Sequence, residues 1–340
     1  MIMKKIAICK TEGFCPRWVD YCKKNNLDYK IVNPYDTDII KQVEDCDAFM
    51  WHHSQANYKD KLFAKELIYS LELAGKRCFP NYNTTWHFDD KVAQKYLLEA
   101  IGAPLVPSYV FYTKKEAKAW INNATFPKVF KLRGGAGAAN VLLVKNKRKA
   151  KGLVRQAFRK GFSNVAFWGD VKERIRKWRL GKLTFVTVIK GFCRLFVRTD
   201  FRKLYHKEKG YVYFQDFMPN NTYDIRVCVV GEKAFAIKRM VREKDFRASG
   251  SGLIYYGKEE FDEQCVKLAF EMAKKLKLQS VGFDFVFDEK KNPWVVEMSY
   301  GFVARVYDTC SGYWTSDMTW HEGAGFDFCG WMVEDLINEN

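Results

Sequence analysis

Residues 126–146 read FPKVFKLRGGAGAANVLLVKN, an apolar segment carrying lysine that runs into glycine and alanine and then into a second apolar segment. Short apolar runs of this kind read as strands, so the glycines join strand to strand. No other feature restricts the fold as much. A dinucleotide-binding fingerprint has to open a helix whose N-terminus holds the pyrophosphate, and GAGAAN (135–140) opens NVLLV instead. A Walker A loop needs GK[ST] after its glycines, which is absent. A protein-kinase loop is also strand–loop–strand, but the HRD and DFG sequences are missing. The loop alone leaves two readings: a glycine turn without a ligand, or a phosphate-covering loop of a different architecture.

The 340 residues give room for two or three domains. Hydrophobic residues make up 48% of the chain and Pro numbers eight, which describes a folded protein and excludes a disordered one. No uncharged apolar run approaches the roughly 20 residues of a membrane span. The apolar stretch at the start is too short for a signal peptide and has no small-residue cleavage site. Ten Cys are scattered without a CxxC pair, which suits reduced, buried thiols in a cytoplasmic protein. His321 and Cys310 lack partners at metal spacing, so no zinc site is assigned.

Strands are expected at 4–9, 28–32 and 47–51, with helices around 16–25 and 37–45 between them, which implies a parallel α/β unit. A helix over 60–75 ends at Gly75. Asp89 and Asp90 precede another, with Val92, Tyr96, Leu97 and Ala100 on one face, and SYVFY (108–112) follows as strand. Helices near 148–160 and 171–180 come after the loop, then strands TFVTVIK (184–190) and RLFVR (194–198). From 211 the chain is β-rich: YVYFQDF, DIRVCVV and AFAIKRM, a helix over 262–277, then SVGFDFVFD and PWVVEMS. The domains are drawn at 1–85, 86–210 and 211–340, with a basic insertion at about 146–210.

Asp284 and Glu297 lie on the last two of these strands. Alternation puts Phe283, Phe285 and Phe287 on one face, with Asp284, Val286 and Asp288 on the other. A carboxylate in such apolar strands is costly unless paired or metal-bound. Asp288, beside the EKKN turn, reads as solvated. Hard oxygen ligands together with nucleotide phosphates are how proteins hold Mg²⁺. Lys91 and Lys131 add two cations upstream, and the backbone of QDFM suits an adenine ring.

In this order the segments resemble the ATP-grasp superfamily of carboxylate–amine ligases over roughly residues 80–310. The implied fold is α/β and α+β: an ATP-grasp fold with an N-terminal pre-ATP-grasp (Rossmann-like) domain. DDKVAQKYLLEAIGAPLVPS resembles the segment of the first phosphate lysine, which would make Lys91 that residue. FPKVFKLRGGAGAANVLLV is similar to the segment of the second, which implies Lys131 for ATP and Gly134, Gly135 and Gly137 for a lid. In YFQDFMP, Gln215, Asp216, Phe217 and Met218 would contact the adenine edge. DIRVCVVGEKAFAIKRMVREKDFRASGSG resembles the branch of ribosomal-protein glutamate ligases and glutathione synthetases. There Asp224 and Arg226 would shape the site and Arg239 would stabilise the acyl-phosphate. Arg247 and Ser249 would face phosphate and substrate. VGFDFV and WVVEMS are similar to the metal strands, implying Asp284, Glu297 and Ser299 for two Mg²⁺ ions, with Mn²⁺ as a substitute. The chain departs from the pattern at Leu132 (usually Pro), Ser299 (usually Asn) and Tyr300-Gly301-Phe302 (usually Pro-Gly). A hydroxyl is a poorer Mg²⁺ ligand than an amide carbonyl.

The resemblance implies ATP-dependent activation of a carboxylate as an acyl-phosphate and its capture by an amine. An inactive ATP- or polyanion-binding module and a kinase on the same fold are the alternatives. The net charge of +17 adds a further question, because residues 145–209 hold 21 Lys and Arg against four acids and the remainder is balanced. Four readings stand for that segment: a surface for an acidic glycan or lipid-linked sugar, peripheral docking at the inner face of a membrane, a solvated face, and nucleic-acid binding. No RRM, KH or helix-turn-helix signature supports the last. His52 and His53, at the carboxyl end of the third strand, read as loop polar residues or substrate contacts. The run YWTSDMTW (313–320) reads as core packing or an acceptor pocket.

Overall fold

The alternation of apolar runs with helices in the first 80 residues builds a four-stranded parallel sheet in the order β2-β1-β3-β4. Its strands are β1 (Ile6–Cys9), β2 (Tyr29–Val32), β3 (Ala48–Met50) and β4 (Arg77–Phe79). The connecting helices are α1 (Cys15–Lys24), α2 (Ile39–Gln42) and α3 (Tyr58–Leu73). All four residues of β1 are buried: Ile6 and Ile8 enter one apolar cluster, Ala7 and Cys9 the cluster on the opposite face. A strand buried on both faces reads as continuously apolar, as IAIC does. β4, three residues long, is too short for a periodic signal and is not foreseen by the sequence.

In this computed structural model the described residues are 5–135, 141–163, 178, 207–242, 245–248, 250 and 252–338. After α4 (Tyr82–Thr85) and α5 (Lys91–Ala100) come β5 (Ser108–Phe111), α6 (Lys114–Asn123), β6 (Lys128–Lys131), β7 (Val141–Val144), α7 (Lys147–Ala157) and β8 (Val212–Asp216). The strands pair antiparallel in the order β5-β8-β6-β7, and the glycine loop leads from β6 to β7 as the sequence requires. α6 carries a Thr113 N-cap and α7 an Asn146 N-cap, each side chain accepting from a backbone N–H of the first turn. The expected helix at 171–180 and strands at 184–190 and 194–198 lie outside the described residues, Trp178 apart.

The remaining strands are β9 (Tyr223–Val230), β10 (Lys233–Met240), β11 (Ile254–Tyr255), β12 (Ser280–Phe287), β13 (Pro293–Ser299), β14 (Gly312–Thr315) and β15 (Trp320–Glu322). They form a seven-stranded sheet in the order β13-β12-β9-β10-β14-β15, with β11 beside β10. Helix α8 (Glu263–Leu276) covers one face, placing Val266, Ala269 and Ala273 against Val227, Val229 and Phe283.

Two units result. Unit 1 comprises Met1–Phe88, Ala93–Val106 and Met218–Asn340; unit 2 comprises Asp89–Val92 and Pro107–Phe217. The boundaries at 85 and 210 expected from the sequence therefore do not separate the N-terminal sheet from the last one. A shared core explains the merger: Ile6, Ile8, Phe14 and Trp18 form one buried cluster with Val230, Phe235, Phe302 and Tyr307, closed by the C-terminal helix α9 (Phe328–Asn338). Phe235 is fully buried there, its ring 5.0–6.4 Å from those of Phe302, Tyr307, Phe326, Phe328 and Trp331. Truncating a buried Phe typically costs about 3–5 kcal/mol. Phe235→Ala should lower the stability of unit 1 by that amount, read as a shifted denaturant midpoint at an unchanged m-value.

Candidate functional site

Unit 2 brings the first lysine to the glycine loop. Asp89 takes a left-handed conformation (φ 53°), and its carboxylate accepts the Gly135 N–H at 2.8 Å. The Lys91 ammonium donates to the Gly135 carbonyl at 2.8 Å, and the Lys91 N–H to the Arg133 carbonyl at 2.9 Å. The Arg133 guanidinium in turn donates to Asp90 at 2.7 Å, while the Arg133 N–H donates to the Tyr211 hydroxyl at 2.6 Å. DDK (89–91) and RGG (133–135), some forty residues apart, are thus stitched into one surface. Gly135 needs to be glycine, since its φ is 122°. The sequence took the Asp doublet only as a helix start; pairing to the glycine loop left no linear signal. Gly134 and Lys131 are buried, and Lys131 stands opposite Tyr213 and Val141 in the ladders. Gly137 lies outside the described residues.

The residues expected at the adenine edge end β8 and follow it. Gln215 is buried and donates to Ser108 Oγ at 3.0 Å, directly across the β5–β8 ladder. The Asp216 carboxylate accepts from the Lys128 ammonium at 2.5 Å, and the Asp216 N–H donates to the Pro107 carbonyl at 2.8 Å. Both of these Asp216 groups are thereby engaged within the sheet. Phe217 and Met218 are half-buried, and the division between the two units falls between them.

Unit 1 carries a row of charges on the face of the last sheet that also holds Cys228 and Val230. Arg226 stands directly across from Asp284, and Arg239 across from Asp224. The Arg226 guanidinium grips Asp284 bidentately, with Nη2 2.6 Å from Oδ2. Arg239 grips Asp224 with two bonds of 2.7 Å and reaches Asp284 Oδ2 at 3.0 Å. Burial works against ionisation of Asp284, but the attraction of Arg226 and then Arg239 prevails and holds this carboxyl well below the usual range. At Asp224 burial dominates and lifts the pKa despite Arg239. Two buried guanidiniums and two carboxylates balance, which is what makes such burial tolerable.

Glu297 faces Asp284 across the next ladder, and Ser299 faces Gly282. Strict alternation from the core residue Val295 would turn Glu297 and Ser299 into the apolar core. A β-bulge resets the pattern: Asp284 pairs with Glu297 but Phe285 with Val295, which leaves Val296 as the extra residue. Val295 and Met298 both enter the core, while Glu297 and Ser299 stay half-buried on the other side. The donor set fits a hard cation: two carboxylates facing each other repel unless a cation lies near, and hydroxyl oxygen is also a hard ligand. The guanidiniums take three of the roughly four lone-pair positions of Asp284, leaving one for a metal. The Ser299 hydroxyl donates to the Gly301 carbonyl at 2.9 Å, so its oxygen lone pairs face outward from that bond.

Other expected residues fall elsewhere. Arg247 is half-buried and is held by its near neighbour Asp245, with Nη2 2.6 Å from Oδ2. Ser249 lies outside the described residues. Within YWTSDMTW, Trp314 is fully buried and stacks edge-on to Trp320 at 4.5 Å, which assigns this part of the run to packing. Asp288 caps its own turn, accepting from the N–H groups of Lys290 and Asn292.

Residues 198–304 match the family model of the RimK-like ATP-grasp domain. No functionally curated protein matches the sequence. Among solved structures, the biotin carboxylase domain of Hydrogenobacter thermophilus 2-oxoglutarate carboxylase, in complex with MgADP, ADP and bicarbonate, aligns with a TM-score of 0.62 at 14% identity, over 100% of this chain and 71% of that one. An ATP-grasp RimK domain protein from Sphaerobacter thermophilus aligns with a TM-score of 0.57 at 13% identity, over 98% and 100% of the two chains. D-alanine–D-alanine ligase from Bacillus anthracis, complexed with ATP, aligns with a TM-score of 0.55 at 13% identity, over 88% and 87%. The fold is that of the ATP-grasp superfamily. Residues 198–304 are similar to the RimK-like domains of that superfamily.

His52 and His53 belong to the packing of unit 1. His52 stacks on Phe14 at 3.9 Å and accepts its N–H through Nδ1 at 3.0 Å. A Cβ on Gly13 would lie 2.1 Å from that nitrogen, so glycine is required there. His53 is buried, hydrogen-bonds Thr85, and its carbonyl accepts the Tyr300 hydroxyl at 2.8 Å, which gives the unusual Tyr300 a structural role. Burial pushes the pKa of His52 down to about 4 and that of His53 down to about 3. Both stay neutral while the unfolded chain, at about 6.5, takes up protons. Their contribution is therefore complete above about pH 6.5 and lost as pH falls toward about 4, by at most about 1.4 kcal/mol per pH unit for each. Replacing both by Asn should flatten the dependence of unfolding free energy on pH between those limits, measured by urea titration at successive pH values.

Proposed function

We propose that the protein is an ATP-dependent carboxylate–amine ligase. The observation that carries this reading is the bulge at Val296, which sets Glu297 and Ser299 on the same face as Asp284, Arg226 and Arg239. Such a face makes sense only where negative charge has to be managed. Lys91 and Lys131 would serve the phosphates and the 215–218 segment the adenine. Asp284, Glu297 and Ser299 would hold Mg²⁺, and Arg239 would meet the transferring phosphoryl group. Magnesium, when bound, neutralises the charge of the β- and γ-phosphates.

In the first step a carboxylate oxygen of the substrate bonds to the γ-phosphorus, and the bond to the β-γ bridging oxygen breaks, releasing ADP. In the second the amine attacks the acyl carbon, inorganic phosphate leaves and the nitrogen loses a proton. Lys91 and Lys131 hold the nucleotide, Arg239 meets the charge that develops at the phosphoryl oxygens, and the loop excludes water that would hydrolyse the intermediate. Arg226 acts on Asp284, fixing the orientation of that carboxylate. The cationic segment 145–209 supports an acidic acceptor such as a uronic-acid glycan, with the reaction on the cytoplasmic side.

An ADP-release screen across carboxylates, with and without amines, tests the reading. Lys131→Ala and Glu297→Ala should each lower turnover by about 10²–10³-fold, the usual loss when a charge-stabilising group is removed. Parent-like rates in both variants would overturn the site assignment. ADP release with a phosphorylated product and no amine requirement would mean a kinase, and nucleotide binding without turnover a binding module.

A further inference from the structure

Helices α6 and α7 lie side by side on one face of the sheet of unit 2. Ala117 and Ile121 of the first and Ala150, Leu153 and Val154 of the second share a core with Phe130, Val144 and Phe214. Their outer faces therefore point the same way. The outer face of α6 exposes Lys114, Lys115 and Lys118. That of α7 exposes Lys147, Arg148, Lys149 and Arg155, and the chain just beyond it exposes Arg159 and Lys160. The bridge between Phe162 and Glu208 brings in Lys207 and Lys209, also exposed. Against these cations the two helices offer one acid, Glu116, engaged with the N-cap Thr113 at 2.7 Å.

None of these Lys and Arg residues is ion-paired among the described residues. Two other basic side chains of unit 2 show what pairing looks like here: Lys128 has Asp216 and Arg133 has Asp90. The face is thus left with unbalanced charge, which a merely solvated helix pair has no reason to keep. Its aromatic residues are turned inward. Trp120 packs on Tyr109, Phe111 and Phe214 at 4.8–5.3 Å, and Phe162 on Phe130 at 5.2 Å. No large apolar side chain is exposed on α6 or α7. Among the described residues, neither α6 nor α7 itself offers an exposed aromatic ring for stacking nucleobases or an apolar wedge.

What remains is a plane of mostly lysine ammonium groups, flexible point charges rather than the fixed forks that single out one anion. The plane is about 16 Å long, the length of α7. Cations spread along two adjacent helices match anions spread over a surface. We propose that the α6–α7 face docks the protein onto an anionic phospholipid surface by charge alone. The nucleotide and metal residues proposed above are not on this face. The cations of segment 145–209 that were read above as an acceptor surface are, so glycan and membrane compete for the same side chains in the test below.

The test is co-sedimentation of the full chain with phosphatidylglycerol–phosphatidylcholine vesicles, with pure phosphatidylcholine vesicles as reference and added polygalacturonate as competitor. Binding should require phosphatidylglycerol and disappear as salt rises to about 1 M, where screening shortens to about 3 Å. Lys115→Glu, Arg148→Glu and Lys149→Glu fall in the first turns of their helices, where acids suit the dipole, so the triple variant should fold as the parent does. At about 1 kcal/mol per basic residue, or roughly fivefold, the triple variant should bind at least about a hundredfold more weakly. An unchanged circular-dichroism melt would confirm that folding is intact. The proposal is overturned if the parent ignores phosphatidylglycerol vesicles at low salt, binds neutral vesicles equally, or binds as well after the three reversals. Retention of polygalacturonate without vesicle binding would overturn it in favour of a soluble acidic glycan.

Discussion

Four charges on three neighbouring strands set the terms for one face of the last sheet. Asp224, Arg226, Arg239 and Asp284 sit where the last sheet leaves its aromatic core, and each is too poorly hydrated to stand alone. Arg239, touching both carboxylates, ties the two pairs into one set. Such a set is cooperative in the damaging direction, because losing one member strands another as an uncompensated buried charge. The same property gives it rigidity. Asp284 is held in one orientation by two guanidiniums.

That face depends on a core the linear order conceals. The first strand and first helix of the chain share their apolar contacts with Phe235 and Val230 of the last sheet and with the C-terminal helix. Residues more than two hundred positions apart therefore fold as one body. The departure from the family pattern at Tyr300 fits this arrangement: its ring fills space against Phe88 at 4.5 Å, and its hydroxyl ties to the carbonyl of His53. A Pro at that position would have neither contact.

Much of the architecture was legible in the sequence because long strands with clean alternation announce themselves. SVGFDFVF and AFAIKRM are strands, the Phe residues of the former share one face, and the glycine loop joins two strands, as read; that the Phe face is the α8 side is known only from the fold. Short elements with no room for periodicity were missed, among them β4 and the β14–β15 hairpin. Within the site, residue types were readable and their partners were not. Asp90 with Arg133, and Lys128 with Asp216, are pairs across 43 and 88 positions that only tertiary structure creates. Alternation would even have misdirected the placement of Glu297, which depends on a one-residue irregularity.

That irregularity makes the strand behave like a reading frame. Between Asn292 and Ser299 the chain has one residue more than the ladder needs, and the surplus at Val296 decides which side chains meet oil and which meet charge. Remove it, and Glu297 trades places with a core methyl group; add another, and the same exchange occurs in reverse. Substitutions along this segment can be absorbed one at a time, but a single-residue indel inverts the whole edge, so the length of β13 is held more tightly than its composition.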